Sequence, residues 1–166
     1  NIEVIAHSGN GKIHITGKLG EVMQESAKAA ISYVRTISEK LGINHTWYDK
    51  NDIHIHCPEG ATPKDCPSAG VTMVVGLTSA ITGIKVKQNV AMTGEVTIRG
   101  RVLPIGGLKE KLLAAQREGI EEILLPEQNR RVVDMLDPSV RKKAQIHHHR
   151  LLPLQPRRSP PTLKWF

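Results

Sequence analysis

Ser68 stands in the segment Thr62-Pro63-Lys64-Asp65-Cys66-Pro67-Ser68-Ala69-Gly70, directly ahead of an apolar run over 71–81. Lys111 closes the segment Pro104-Ile105-Gly106-Gly107-Leu108-Lys109-Glu110-Lys111, and Met92-Thr93-Gly94-Glu95 lies between the two. A serine hydroxyl is a poor nucleophile at neutral pH unless a base removes its proton, and a lysine does so once burial lowers its pKa toward the working pH. Leu108 and Ala115 fall at helical spacing from Lys111 and Leu112 is adjacent to it, so its amine is expected to point inward, while Lys109 faces elsewhere. Small Ala69 and Gly70 leave room for a substrate backbone, and the helix expected after them sets its N-terminus near a developing oxyanion. These residue types suit a Ser-Lys hydrolase.

Taken singly, each has a plainer reading. Ser68 is an ordinary helix N-cap, Lys111 a solvated helix lysine, and Thr93-Gly94-Glu95 a strand with a glycine bulge. His54 and His56 alternate on one strand face, but no third metal ligand follows at a suitable spacing, so they read as polar or site-lining residues. Ser139-Val140-Arg141-Lys142 matches an S-x-x-K signature whose Ser-Asp-Asn and Lys-Thr-Gly partners are missing, which makes it a chance match.

The elements that must hold these residues follow an alternating order. Residues 2–5 and 12–16 read as strands around a Gly9-Asn10-Gly11 turn, a hairpin signal. Leu19, Val22, Met23, Ala27, Ala30, Ile31, Val34 and Ile37 recur at helical spacing, with Gly42 closing the segment. Residues 52–57 alternate as a strand, 58–67 form a loop, and 71–81 have no polar face, which predicts a buried helix ending at Gly83. A strand over 91–98 turns at Arg99-Gly100-Arg101 into Val102-Leu103. An amphipathic helix over 107–118 stops at Gly119, and a strand over 122–125 and a short helix over 129–136 follow.

A chain of 166 residues with 39% hydrophobic content is enough for one domain with a full core. No run reaches the roughly 18 apolar residues of a membrane span, and the start, Asn1-Ile2-Glu3-Val4, has neither a basic leader nor an initiator Met, so the expectation is a soluble piece of a longer chain. Cys57 and Cys66 fit neither a disulfide framework nor a zinc site, which favours a reducing compartment, and the Asn44-His45-Thr46 sequon without a secretory signal reads as chance. The net charge of +7 is local: all seven excess cations fall after position 140, where there is no acid. With only Tyr33, Trp47, Tyr48, Trp165 and Phe166 as aromatics, specific nucleic-acid recognition by the body is not expected. Residues 150–166 hold four prolines and no periodicity, so the reading is a domain over 1–146 and a basic, Pro-rich tail over 147–166.

From about residue 15 to residue 135 the chain resembles the proteolytic domain of the Lon family of ATP-dependent Ser-Lys proteases. The nucleophile motif P-K-D-G-P-S-A-G is matched at 63–70 except at Cys66, M-T-G-E at 92–95, and L-P-[IV]-G-G-[LI]-K-E-K-x-x-A-A at 103–115. The resemblance implies Ser68 as nucleophile, Lys111 as its general base, Thr93 as the residue holding the lysine, and His54, Glu95 and Asp65 as further active-site support. It implies an α/β (α+β) fold, a two-layer mixed sheet with helices like the second domain of a small-subunit ribosomal protein. It also implies a homo-hexameric ring, unfolded or damaged proteins as substrates, and a bacterial cytoplasmic or mitochondrial-matrix setting. No phosphate-cradling G-x-x-x-x-G-K-[ST] occurs, so no cofactor is expected in this chain, and ATP with magnesium belongs to an AAA+ ATPase module of a full-length parent. Membrane partners are not expected. Cys66 is expected either to strain a conformation that glycine tolerates or to crowd the cleft, which keeps a second reading open: a catalytically impaired module used for ring assembly or partner binding.

Overall fold

Alternation of apolar and polar residues makes Asn51–His56 (β3) the middle strand of a sheet that buries Ile53 and Ile55 on one side. The computed structural model describes residues 1–58, 63–141 and 144–150, with the backbone of two short paired strands at 155–156 and 163–164. Strand β1 (Glu3–Ser8) runs antiparallel to β3, and β2 (Ile13–Thr16) runs parallel to it on the other side. The hairpin expected around Gly9-Asn10-Gly11 therefore does not form. The cause is Asp52, whose carboxylate accepts the Asn10 and Lys12 N–H groups at 2.8 Å each and draws the turn onto β3, so that β3 separates the two strands. Those N–H groups, Lys12 first, hold the Asp52 carboxyl below its ordinary range.

Two helices cover the buried face. Helix α1 (Glu21–Thr36) turns the expected stripe of Met23, Ala27, Ala30, Ile31 and Val34 inward, and α2 (Gly70–Thr82) is buried along most of its length at Val71, Met73, Val74, Val75 and Leu77. Burying Ile53 or Ile55 in this layer contributes roughly 1.5–3 kcal/mol each. Helix α2 ends where expected, at Gly83 in the left-handed conformation.

A second, smaller layer holds the lysine. Strands β4 (Val90–Met92), β7 (Glu122–Pro126) and β8 (Gln145–His149) form a parallel sheet in the order β4-β7-β8, and β5 (Glu95–Val96) pairs with β6 (Val102–Leu103). Helix α3 (Leu108–Arg117) packs Leu108, Leu112 and Ala115 with Ile123 and Leu125 of β7, Val133 of α4 (Arg130–Met135) and Val140 of α5 (Pro138–Arg141). The mixed α/β content is thus spread over several small sheets. Strand β8 runs across position 146, where the sequence reading set the boundary between domain and tail, and Arg150 accepts the Val102 N–H at its backbone oxygen. Beyond it the expected tail lies outside the described residues, apart from the backbone of the two short strands.

The strand expected over 91–98 is two strands. Thr93 donates its N–H to the Leu124 carbonyl, whereas Gly94 donates to the Ser68 carbonyl at 2.8 Å and accepts the Val71 N–H at 3.0 Å. One residue keeps the second sheet and the next joins the start of α2, so the chain changes layers between them. That crossing is where the two layers meet.

Candidate active site

Ser68 sits in a single turn, Pro67–Ala69, that runs straight into α2. Several contacts fix that turn. The Leu19 and Lys64 backbones form a parallel bridge, and Asp65 Oδ1 accepts the Met23 N–H at 3.0 Å. Because Gly20, the N-cap of α1, has no side chain to offer, Asp65 caps that helix from 42 positions away. Ser26 Oγ donates to the Pro67 carbonyl at 3.3 Å, and the Ser68 carbonyl takes both the Thr93 hydroxyl at 3.2 Å and the Gly94 N–H at 2.8 Å.

Lys111 comes from the first turn of α3 in the other layer, half-buried, with Lys109 exposed as expected. Its Nζ lies 3.3 Å from Ser68 Oγ, although the two residues are 43 positions apart. Ser68 itself is only 8% exposed. Both residues line a cleft of about 740 Å³ between the layers. Its other walls are mostly apolar, from Met23, Val90, Met92, Leu112 and Ile123 among others. The arrangement offers a hydroxyl, an adjacent amine and an open groove, the parts that nucleophilic hydrolysis needs.

A third side chain touches the hydroxyl. Cys66 Sγ stands 3.0 Å from Ser68 Oγ, on an exposed residue whose φ of −144° and ψ of 130° are ordinary extended backbone. The expectation of backbone strain at this position is therefore set aside, and crowding of the nucleophile is what the geometry records. The Ser68 hydroxyl, and more weakly the Ser68 N–H and the Lys111 charge, pull the thiol's pKa below its ordinary value against the opposing effects of partial burial and Asp65.

Of the other sequence candidates, Thr93 lines the same cleft, whereas Asp65, Glu95 and His54 do not. Thr93 reaches the nucleophile's own carbonyl, where the resemblance had set it against the lysine. Asp65 acts on the helix cap, not on the hydroxyl. Glu95 pairs with Leu103 in β5 and, among the described residues, makes no hydrogen bond to Ser68 or Lys111. His54 lies outside the cleft: the same alternation that buries Ile53 and Ile55 sends His54 and His56 to the opposite face, where both rings hydrogen-bond Thr16 Oγ1, at 2.8 and 2.7 Å. Among the described residues no group of His, Cys, Asp or Glu side chains could hold a metal ion. The sequence reading missed Ser26, whose signal was a lone hydroxyl at helical spacing among Met23, Ala27 and Ala30, a buried group that must find a partner.

Comparison with known proteins matches residues 1–152 to the model of the family described as Lon protease (S16) C-terminal proteolytic domain. The chain is similar to the Lon protease of Finegoldia magna, 58% identical over 146 residues that make up 88% of this chain and 19% of that protein. It is 56% identical over 142 residues to the Lon protease of Brevibacillus choshinensis, covering 86% of this chain and 18% of that one. It is also 56% identical over 146 residues to the Lon protease of Escherichia coli strain K12, covering 88% and 19%. The chain thus spans about a fifth of the length of the curated relatives it matches.

Proposed function

We infer from the chain's membership of the Lon protease (S16) C-terminal proteolytic domain family, to which it belongs, that it is a serine endopeptidase domain working through a Ser68–Lys111 dyad. The observation that carries this reading is the 3.3 Å approach of Lys111 Nζ to the hydroxyl of Ser68 across two structural layers, inside a peptide-sized cleft. An amine in its uncharged form takes the Ser68 proton as Oγ attacks the carbonyl carbon of a peptide bond. The oxyanion collects at the N-terminal end of the turn leading into α2, where the helix favours negative charge. Lys111 then returns the proton to the leaving amine, which departs and leaves an ester on Ser68. Water, deprotonated by the same amine, hydrolyses that ester.

The cleft also bears on the substrate class. An open groove with apolar walls admits an extended chain but not a folded domain, which favours unfolded or damaged proteins as substrates. In this reading ATP hydrolysis and substrate unfolding belong to an AAA+ module outside the chain, no cofactor is bound here, and the domain works in a homo-hexameric ring in a bacterial-type cytoplasm. Among the described residues no helix is long and apolar enough to cross a membrane.

The test is cleavage of an unstructured fluorogenic peptide by this chain with no nucleotide present, beside a stably folded protein as a second substrate. Cleavage of the peptide alone is the expected result. Equal cleavage of both, or of neither, contradicts the reading, and a silent domain moves the impaired-module reading ahead.

A further inference from the structure

The Ser68 hydroxyl has one proton and two neighbours that can take part in a hydrogen bond with it. Lys111 Nζ is 3.3 Å away and Cys66 Sγ is 3.0 Å away. The sulfur also faces the Ser68 N–H. Neither contact is forced by the backbone, since Cys66 is extended and exposed.

Resting on the dyad reading, we propose that Cys66 is a positioning residue of the hydrolytic reaction and a restraining one: its sulfur competes with Lys111 for the Ser68 hydroxyl and must release it before the serine attacks. In the neutral thiol, S–H can donate to Oγ and leave the serine proton directed at Lys111. In the thiolate, sulfur can only accept, and the serine proton turns toward it and away from the amine. An ionised acceptor makes the stronger bond, so the restraint grows as the thiol loses its proton. The charged groups that bear on this sulfur are Lys111 from α3, which favours the thiolate, and Asp65 from its own loop, which opposes it. Because the thiol's pKa lies below its ordinary value, the stronger restraint sets in at a lower pH than for a free cysteine and persists above it.

The experiment measures kcat and KM for a fluorogenic unstructured peptide from pH 6 to pH 10, on wild type and on the Cys66→Gly, Cys66→Ala and Cys66→Ser variants. Ser68→Ala is made in the wild-type and Cys66→Ala backgrounds, and thermal unfolding confirms that each variant folds. The Gly and Ala variants are expected to raise kcat with little change in KM, by about two- to threefold at low pH and about tenfold at high pH, the margin a hydrogen bond to a charged acceptor supplies. Cys66→Ser keeps a hydrogen-bonding group that does not ionise in this range, so its ratio to wild type should stay flat with pH. A gain independent of pH, or no gain in folded Gly and Ala variants, overturns the proposal and leaves the dyad standing if Ser68→Ala is inactive in both backgrounds. Activity that survives Ser68→Ala overturns the dyad itself.

Discussion

Replacing Ser68 by alanine, or Lys111 by alanine, is expected to lower kcat/KM for peptide cleavage by at least about a thousandfold, and the double variant to be no worse than either single one. The equality follows from the geometry. Without the hydroxyl the amine 3.3 Å away has no nucleophile to activate, and without the amine the hydroxyl keeps its proton. The helix N-terminus and the cleft remain in all three variants, so residual catalysis should be similar in each. Steady-state turnover with unchanged thermal unfolding is the measurement. A Lys111→Ala variant within tenfold of wild type would mean that another group serves as the base.

Gly94→Ala should be damaging in two ways at once. A Cβ at Gly94 would stand 2.8 Å from Val102 Cγ1 and 2.9 Å from Val71 Cγ2, and its φ of 156° is one that side chains rarely adopt. Overpacking of this kind costs about 3 kcal/mol, read as a lower denaturation midpoint. The same backbone unit donates to the Ser68 carbonyl and accepts the Val71 N–H, so a shift here moves the nucleophile away from Lys111. A displacement near 1 Å is enough for about a hundredfold loss in kcat. Loss of stability with full activity in the folded fraction would show that Gly94 packs the layer junction but does not position Ser68.

Local signals made the helices legible before the structure was known. The stripe of α1, the unbroken apolar run of α2 and the amphipathic turn that carries Lys111 each follow from residue spacing within one element. The proposed dyad was legible for a different reason, because three separated motifs occur together, although each one singly reads as a cap, a surface lysine or a bulge. What escaped the sequence depends on partners far away in the chain. Nothing in residues 1–16 says that β3, more than thirty positions later, will insert between β1 and β2. Asp65 looks like an acidic neighbour of the nucleophile until Met23 is seen to need a cap, and nothing local to His54 says that its ring will meet Thr16 of β2. Cys66 shows as an irregular position in a motif, but its contact with the serine hydroxyl is a property of the folded turn.

The most direct test of the central claim is the intact mass of the chain, and of its tryptic peptides, after acid quench of a reaction with a slowly deacylating p-nitrophenyl ester. The account predicts one added acyl group on Ser68 in the wild type and its absence in Lys111→Ala over the same interval. An acyl group on Cys66, the neighbouring thiol, or labelling of Ser68 at an unchanged rate without Lys111, would contradict the assignment of nucleophile and base.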